Sequence, residues 1–367
     1  MKIGILGGGQ LGRMLALAGY PLGLRFRLFD PQPDAAAGQV AELVTGAYDD
    51  RAALERFADG LDVITYEFEN VPAATLEYLA ARVPVYPPPR ALACSQDRLA
   101  EKTLFRTLDI PTAEFAPVDS PADLTRALEH VGLPAILKTR HHGYDGLGQV
   151  VIRTAADADS AFAALAGRPL IVEGRVPFDR EVSVLAARGR SGETVVYPLV
   201  ENRHERGVLI RSLAPAPHTT DDLRARAVRK IERLLHALDY VGVLTLEMFE
   251  VQGRLWANEL AARVHNSGHW SIDAGGTSQF ENHLRAVAGW PLGDPQPRGS
   301  AALLNLIGGL PPVAELLATR GVHLHLYGKE PRPGRKLGHV TVCGGDEEVA
   351  AGLRVIEPLV AAARVLR

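Results

Sequence analysis

Two glutamates, Glu247 and Glu259, lie inside apolar segments that are typical of neighbouring strands separated by a turn near Gly253. A three-residue turn over residues 251–253 would place Glu259 diagonally across from Glu247 on the same face of the hairpin. A two-residue turn would instead oppose Glu247 to Asn258 and turn Glu259 away. We favour the three-residue turn, because two unpaired acids are costly to bury and because carboxylate and phosphate oxygens together hold Mg²⁺. The pair then predicts a magnesium site against the phosphates of a nucleotide.

A lysine beside a glycine-rich loop predicts where those phosphates bind. Lys138 ends a predicted strand, residues 143–148 contain three glycines, and Gln149 begins the next strand. Backbone N–H groups of such a loop can cover a triphosphate while the lysine supplies a point charge. The segment is not a Walker A motif, since no Gly-Lys-Ser/Thr and no helix follow. A plain glycine hairpin is the alternative, but it leaves the lysine unexplained in a chain where only six of the 40 basic residues are lysines.

The N-terminal segment Gly-Gly-Gly-Gln-Leu-Gly (residues 7–12) matches GxGxxG between a strand and a helix, and Asp30 ends the second strand. This arrangement is typical of a dinucleotide-binding fold. A glycine turn before a helix is also a general anion cradle, so the motif does not identify its phosphate. Glu67, Glu69 and Asn70 follow the third strand, at the sheet edge where ligands bind in open α/β folds. We favour a functional role for Glu67, while a helix-capping loop is an equal alternative for Glu69.

Two further polar segments predict contacts with a substrate. Residues 263–270 (RVHNSGHW) form a dense polar run, in which Ser267 and Gly268 argue against a helical zinc pair of His265 and His269. We interpret this run as a substrate-contacting loop. Near the C-terminus, four basic residues interleave with proline and glycine, which suits a phosphate monoester, although a solvated basic loop is the alternative. These residues are Lys329, Arg332, Arg335 and Lys336.

The elements that must position these residues follow from hydrophobic patterning. Strands alternating with helices over the first 90 residues predict a parallel, doubly wound sheet that ends at three consecutive prolines. The strands of this sheet are predicted at residues 2–6, 25–29, 61–66 and 84–86. A small α+β unit follows, with a helix over residues 97–108 and strands at 135–138, 149–153 and 170–173. Further on, the sequence predicts a hairpin within 181–200, a helix over 221–238, and strands at 243–250, 254–260 and 301–307.

Composition excludes several classes of protein. A chain of 367 residues predicts two or three domains, and a net charge of −3 argues against a nucleic-acid partner. Cys94 and Cys343 match no metal or redox spacing. The N-terminus does not resemble a signal peptide, and no uninterrupted apolar run reaches the roughly 18 residues of a membrane span. We therefore expect a soluble, cytoplasmic protein.

Five motifs, spread over nearly the whole chain, resemble the ATP-grasp superfamily and, within it, the family of N5-carboxyaminoimidazole ribonucleotide synthases. The most specific is RVHNSGHW, within NELAARVHNSGHW at residues 258–270. The other four are GGGQLGRM (7–14), YEFENV (66–71), GYDGLGQ (143–149) and HLYGKEPRPGRKLGH (325–339). The resemblance implies a Rossmann-like pre-ATP-grasp domain with a parallel sheet (1–95) and a small ATP-grasp lid domain (96–177). A larger ATP-grasp domain with a C-terminal substrate-binding extension (178–367) would complete an α/β and α+β fold.

The resemblance also implies a reaction. It is the ATP- and bicarbonate-dependent carboxylation of 5-aminoimidazole ribonucleotide, through carboxyphosphate, in purine biosynthesis. ATP and Mg²⁺ are the implied cofactors, and a homodimer is the implied assembly. Lys138, Arg263, His265 and Asn266 would be catalytic.

Binding roles are likewise implied by the resemblance. Glu247 and Glu259, with Asn258, would hold magnesium. ATP would contact Arg98, Lys138, Gly143, Tyr144, Asp145, Gly146, Leu147, Gly148, Gln149, Glu173, Gly174, Arg175, Val176, Glu181, His204, Asn258 and Glu259. The ribonucleotide would contact Gln10, Leu11, Glu67, Tyr144, Asp145, Arg263, His265, Asn266, Ser267, Lys329, Arg335 and Lys336.

One residue departs from the family pattern. Leu147 stands where the family commonly carries lysine or arginine, and Arg140, His141 or His142 are the candidates to replace that charge. Three rival functions are a formate-dependent glycinamide ribonucleotide transformylase, a nucleotide sensor, and an NAD-dependent dehydrogenase that uses residues 7–12 and Asp30. The dehydrogenase leaves Glu247 and Glu259 without a role.

Overall fold

Three sheets organise the part of the chain that the structure, a computed structural model, describes: residues 1–141, 143 and 147–366. None of the described helices is long and apolar enough to cross a membrane. Each sheet buries aliphatic side chains in hydrophobic clusters. The predicted residues of the site lie where the sheets approach one another.

The first sheet and its helices occupy the N-terminal residues. The elements are β1 (Lys2–Leu6), α1 (Gln10–Gly19), β2 (Arg25–Asp30), β3 (Glu42–Thr45), α2 (Arg51–Ala58), β4 (Val63–Tyr66), α3 (Ala73–Ala80) and α4 (Pro89–Gln96). The strand order is β3-β2-β1-β4, and every pair is parallel. The predicted parallel sheet is therefore confirmed. Its order places the turns after β1 and β4 side by side at one edge, where ligands bind in such sheets.

One strand of this sheet was missed, and one predicted strand is wrong. β3 was not predicted, because its four residues are short, half-exposed and without clear alternation. Residues 84–86 were predicted as a strand, but they contribute only an isolated bridge between Val85 and Ile64. Pro84 and Pro87 flank this bridge and have no N–H group, so a continuous ladder cannot form there.

The second sheet is small and antiparallel. Its elements are α5 (Arg98–Thr107), β5 (Phe115–Val118), α6 (Pro121–Val131), β6 (Ala135–Thr139), β7 (Gln149–Ile152), α7 (Ala158–Leu165) and β8 (Leu170–Gly174). The order is β5-β8-β6-β7. Asp97 caps α5 by accepting a hydrogen bond from the Leu99 N–H, and α6 and α7 cover one face of the sheet. Lys138 thus points from a central strand whose partners are fixed on both sides.

The third sheet is the largest. Its elements are β9 (Arg180–Arg188), β10 (Thr194–Val196), β11 (Val200–Glu205), β12 (Val208–Ala214), α8 (Asp221–Ala237), β13 (Gly242–Val251), β14 (Arg254–Ala261), α9 (Gln279–Ala288), β15 (Ser300–Ile307), α10 (Val313–Leu317), β16 (Val322–Leu326), β17 (Lys336–Gly344) and α11 (Asp346–Ala363). The order is β14-β13-β9-β11-β12-β15-β17-β16, and β10 pairs with β9 as the predicted hairpin. The boundaries 1–95, 96–177 and 178–367 stay predictions.

Buried contacts join the three sheets. Helix α1 packs against α9, and the buried Thr65 hydroxyl lies 2.7 Å from Nε2 of His283. On the other side, α5 packs against β14, and Thr112 forms a parallel bridge with Ala257. The strands that carry the two central glutamates are therefore held by elements of a different sheet.

Candidate active site

Glu247 and Glu259 face each other directly across the β13–β14 hairpin. The predicted three-residue turn is wrong: Val251 pairs with Arg254, which leaves a two-residue turn whose second residue, Gly253, has a positive φ of 72°. With a regular ladder this turn would have directed Glu259 away from Glu247. The register shifts between Glu247 and Met248, however, so that Asn258 is an extra residue in β14. This β-bulge restores the pairing that the turn alone would have prevented.

Side chains of α5 and its following loop hold the bulge in place. Lys102 Nζ donates to the carbonyl of Asn258 at 2.8 Å, and the Thr112 hydroxyl donates to the carbonyl of Ala257 at 2.8 Å. The carboxylate of Glu101 accepts from the N–H of Leu260. Backbone groups that a bulge removes from the ladder need other partners when buried, and these side chains supply them. They therefore fix the register at Glu259.

The electrostatics of the glutamate pair favour a cation. Burial, together with the charges of Glu259 and Glu181, raises the pKa of Glu247 to about 7, although His204 opposes this shift. His204 lies 2.8 Å from Glu181, and this contact, with Glu247 nearby, raises its pKa against the effect of burial. Carboxylates gathered around a largely enclosed Glu247 favour the binding of a metal ion or an ammonium group.

His265 orients Glu247. Its Nε2 lies 3.2 Å from Oε1 of Glu247, and its Nδ1 accepts from the N–H of Ser267. Burial lowers the pKa of His265 well below the usual histidine value. The imidazole is therefore neutral, and this pattern of partners leaves its proton on Nε2, directed at the carboxylate.

Lys138 forms a second charged cluster on the small sheet. Its Nζ lies 3.0 Å from Oε2 of Glu173, and Lys102 Nζ lies 3.3 Å from the same atom. Burial alone would raise the pKa of Glu173, but Lys102 and Lys138, with Arg98 behind them, hold it at about 2. Glu173 is thus a compensated carboxylate. Gly174, Arg175 and Val176 follow it along the chain, where β8 ends.

The β6–β7 loop lies next to Arg98. The Arg98 guanidinium donates to the Gly143 carbonyl at 3.1 Å and lies 3.6 Å from Glu259. Gly148 accepts from the Thr139 N–H at 2.8 Å, Gln149 pairs with Lys138, and Leu147 is exposed. Tyr144, Asp145 and Gly146, like the candidate His142, lie outside the described residues. Arg98 therefore links the described part of this loop, at Gly143, to Glu259 of the glutamate pair.

The N-terminal glycine turn is occupied by the protein's own carboxylates. The Gly8 N–H donates to Asp30 and the Gly9 N–H donates to Glu67, each at 2.7 Å. Gly7 has a positive φ of 100°, and a Cβ there would lie 2.7 Å from a Glu67 oxygen. The remaining Asp30 oxygen accepts from the Gln32 N–H. These contacts disfavour the dinucleotide interpretation, because the amides and the acid needed for it are already paired.

The RVHNSGHW run, predicted as a loop, is partly helical: residues 266–270 lie in a 3-10 helix, Asn266–Ile272. Arg263 donates to Glu69 at 2.8 Å, which gives Glu69 a partner in the site. Asn266 and Asn305 exchange amide hydrogen bonds at 2.9 and 3.1 Å. Ser267 is fully buried, and its hydroxyl contacts His265 and Ser183. Ser267 therefore acts on the site by holding His265.

The basic loop and the glycine turn meet in one cavity of about 630 Å³. Lys329 donates to the side chain of Gln10, so the C-terminal loop touches the start of α1. Leu11 lines the cavity although its side chain is buried. The wall also contains Glu67, Arg98, Glu259, Arg263, Arg335 and Lys336. The same cavity is thus lined by residues predicted to bind the nucleotide and by residues predicted to bind the substrate.

Sequence reasoning did not predict roles for Glu101 and Lys102. Both side chains are only 1% exposed, and Lys102 joins Glu173 to the β14 bulge. The rarity of lysine in this chain was a usable signal, because Lys102 is one of the six. No pattern in the sequence indicated the Glu101 contact, since it depends on a bulge about 160 residues away along the chain.

Comparison with known proteins agrees along the whole chain. Residues 1–96 match the ribonucleotide synthetase preATP-grasp domain, residues 103–280 the ATP-grasp domain, and residues 301–352 the phosphoribosylaminoimidazole carboxylase C-terminal domain. The N5-carboxyaminoimidazole ribonucleotide synthase of Pseudomonas aeruginosa is 52% identical, covering 99% of this chain and 100% of its own length. The predicted ATP-grasp fold with an N-terminal parallel sheet is confirmed by these matches.

Solved structures agree with the sequence relatives. The crystal structure of N5-carboxyaminoimidazole ribonucleotide synthetase from Thermus thermophilus is 58% identical with a TM-score of 0.95, covering 98% of both chains. An Aspergillus clavatus N5-carboxyaminoimidazole synthase, in complex with ADP and 5-aminoimidazole ribonucleotide, is 31% identical with a TM-score of 0.91 and the same coverage. Sequence and fold therefore lead to the same group of proteins.

Proposed function

The chain belongs to the family of N5-carboxyaminoimidazole ribonucleotide synthases, and we propose that Glu247 and Glu259 lie between its bound ATP and its ribonucleotide. The reaction is the ATP-dependent carboxylation of 5-aminoimidazole ribonucleotide in purine biosynthesis, a carbon–nitrogen ligase reaction. The observation that carries the proposal is the single cavity lined by Arg98 and Glu259 as well as by Arg263 and Lys336.

ATP is proposed to lie against the small sheet. Lys138 on β6 and Arg98 on α5 would neutralise its phosphates, and the N–H groups of residues 143–149 would cover them. The backbone around Glu173 and Val176, including Gly174 and Arg175, would frame the adenine. Glu181 and His204, which are already hydrogen-bonded to each other, would face the ribose.

The donor set fits Mg²⁺. Glu247 and Glu259 are opposed at the bulge, and burial with neighbouring carboxylates raises the pKa of Glu247 to about 7. Oxygen ligands of this kind, completed by phosphate oxygens and water, are those that Mg²⁺ prefers. Glu247 and Glu259, with Asn258 beside them, would hold the ion. When bound, it would neutralise charge on the transferred phosphoryl group.

The ribonucleotide is proposed to lie between the glycine turn and the basic loop. Lys329, Arg335 and Lys336 supply positive charge for its phosphate, and Gln10 and Glu67 line the same cavity. Arg263 and Asn266 would orient the imidazole ring. Tyr144 and Asp145 keep their predicted contacts as part of this proposal.

The chemistry follows in two steps. Bicarbonate attacks the γ-phosphate to give carboxyphosphate and ADP, and carbon dioxide is then transferred to the exocyclic amine with release of phosphate. Lys138 and Arg98 offset charge in the first step, while His265 orients Glu247. Carboxyphosphate must be kept from water, so closure of the β6–β7 loop over the cavity is the proposed role of its glycines.

The test is phosphate release from ATP by the purified chain, with bicarbonate and 5-aminoimidazole ribonucleotide each omitted in turn. We expect release to require both, whereas equal release with formate and glycinamide ribonucleotide would contradict the proposal. Lys336→Ala should raise the KM for the ribonucleotide much more than that for ATP, because its charge serves the substrate phosphate. An equal effect on both would remove Lys336 from that role.

Assembly and location stay predictions. A homodimer and a cytoplasmic location are proposed from the family resemblance. The two cysteines, Cys94 and Cys343, are both free, which agrees with a reducing environment. Sedimentation of the purified chain would test the homodimer.

A further inference from the structure

Three histidines line one face of the β16–β17 ribbon, outside the site described above. His323 and His325 are two residues apart on β16, and His339 lies directly opposite His325 on β17. Side chains two apart on a strand, and those directly opposite across a pair, share a face. Asp273, which follows the 3-10 helix Asn266–Ile272, reaches this face with its carboxylate.

The contacts within the cluster are close. His325 Nε2 lies 3.0 and 3.1 Å from the two Asp273 oxygens, and His323 Nδ1 lies 3.8 Å from one of them. The rings of His325 and His339 are stacked at 4.5 Å. The side chain of Asp273 is 8% exposed, that of His325 is 28% exposed and that of His323 is 48% exposed, so the cluster opens to solvent on the side of the two β16 histidines.

One nitrogen in this cluster lacks a partner. Among the described residues, His339 Nε2 is buried without a hydrogen bond, while Nδ1 of the same ring lies 2.7 Å from the Tyr327 hydroxyl. A proton on Nδ1, donated to Tyr327, leaves a bare lone pair on Nε2. A second hydrogen bond on the far nitrogen is the usual setting of a metal-bound histidine.

We propose that Asp273, His325 and His339 bind a divalent transition-metal ion such as Zn²⁺, with His323 or water as the fourth ligand from the solvent side. One ligand atom from each of the three lies within 4.8 Å of the others. Bonds of about 2.1 Å in a tetrahedron require ligand atoms about 3.4 Å apart. Movements of the ligand atoms by about 1 Å would therefore complete the site. Two imidazoles and one carboxylate are a ligand set that Zn²⁺ accepts and that Mg²⁺ does not favour.

The position of the cluster gives the ion a structural role. β16 and β17 carry the basic loop with Lys329 and Lys336, and Asp273 ends the segment that begins with Asn266. An ion bound here would fasten these two segments to each other, adding to the existing Asp273–His325 pair. It would therefore stabilise the fold and, on the proposed function of the basic loop, lower the KM for the ribonucleotide. Turnover at saturation should change little.

The test is a calorimetric titration of the chelator-treated full chain with ZnCl₂, without nucleotide or ribonucleotide. We expect one tight ion per chain, a higher midpoint of thermal unfolding, and tetrahedral absorption bands with Co²⁺. His339→Phe, which keeps a ring of similar size, should weaken Zn²⁺ binding by about 100-fold. If that buried variant does not fold, His325→Phe at a half-exposed position should give the same loss.

Two control variants separate this site from others. Glu259→Gln removes the proposed magnesium pair, and His236→Ala removes an exposed histidine on α8; both should bind Zn²⁺ as the unmodified chain does. Binding that survives His339→Phe and His325→Phe, or that is lost in Glu259→Gln, would overturn the proposal, as would the absence of tight binding. Because no substrate is present, failure here is distinct from failure of the proposed carboxylation.

Discussion

Glu247 on the β13–β14 hairpin and Glu173 on the small sheet are two enclosed glutamates that differ chiefly in how close their positively charged neighbours lie. Glu173 has two ammonium groups within 3.3 Å of one oxygen, and its pKa is held at about 2. Glu247 has a neutral imidazole at 3.2 Å and a second glutamate opposite, and burial raises its pKa to about 7.

This difference indicates that Glu173 has a structural role and that Glu247 is part of a ligand site. A buried carboxylate whose charge is already neutralised gains little from a further cation, and removing it strands its partners. A buried carboxylate without such neutralisation is unfavourable in the free protein and becomes favourable when a cation binds. Strongly shifted groups of this second kind cluster at functional sites. The contrast therefore assigns the two glutamates different roles although they lie in the same cleft.

Lys102 connects the two regions. It contacts Glu173 on the small sheet and the Asn258 carbonyl at the β14 bulge. The cluster around Glu173 thus supports the Glu247–Glu259 pair, because Lys102 holds the bulge that brings Glu259 opposite Glu247. Separate substitutions can test each half of this comparison.

The largest effect is expected from Glu247→Gln. Loss of a carboxylate ligand should lower kcat by about 10²–10³-fold, while the unfolding midpoint without nucleotide is unchanged or higher, because an unneutralised charge leaves the interior. Glu250→Gln is the matched control, since Glu250 lies on the same strand but pairs with Arg180. Steady-state kinetics with thermal unfolding checks both; near-normal turnover, or a large loss of stability, would break the contrast.

Glu173→Gln should show the opposite balance. Removing this carboxylate leaves Lys102 and Lys138 buried beside a neutral amide, so the free energy of unfolding should fall by about 3 kcal/mol. Denaturant unfolding of this variant and of Glu129→Gln, at an exposed position on α6, measures the difference. Equal stability in the two variants would show that Glu173 is not the scaffold that its lysine contacts indicate.

Lys102→Met sharpens the link between the regions. Met keeps much of the side-chain volume but cannot donate to the Asn258 carbonyl, so the bulge should loosen. Partners that support metal ligands typically change affinity or activity by about 10–100-fold, and we expect the Mg²⁺ concentration for half-maximal turnover to rise by that factor. Lys230→Met on α8 is the control for loss of a lysine. An unchanged Mg²⁺ requirement would show that Lys102 does not support the metal site.

The glutamate pair shows how far the sequence predicts this molecule. Alternating apolar residues predicted β13 and β14 within two residues, because that pattern is local. Glu247 and Glu259 share a face as predicted, but they lie directly opposite each other and not diagonally, and the stated cause was wrong. The turn has two residues, and the bulge at Asn258 depends on contacts from α5. A one-residue insertion in a ladder has no local signature that distinguishes it from a longer turn.

Other residues mark the same limit. Lys138 was predictable because it ends a strand beside a glycine loop, whereas Lys102 lies within a helix, and only the folded chain shows that it contacts strands of two different sheets. Residues 7–12 matched a dinucleotide motif, yet Asp30 and Glu67 accept from two of its amides. Motif spacing predicted which residues gather in the cleft, and tertiary contacts decide which of them remain available to a ligand.

The smallest expected effect is on the pH dependence of stability without nucleotide, which tests the pKa difference between Glu247 and Glu173 most directly. Because the folded pKa of Glu247 lies near 7, above the ordinary 4.5, the native state binds more protons than the unfolded state between these values. That contribution is fully present below about pH 4.5 and is lost as pH rises through 7. Glu173 behaves oppositely: its contribution is present above about pH 4.5 and is lost as pH falls towards 2.

Unfolding midpoints measured from pH 3 to 8.5 should therefore rise and then fall. Glu247→Gln should flatten the fall at higher pH, and Glu173→Gln should flatten the rise at lower pH. Glu101, whose pKa burial and Glu259 raise to about 8, keeps a residual upper slope in the Glu247 variant. Identical profiles in the two variants would mean that charge compensation does not distinguish the two regions.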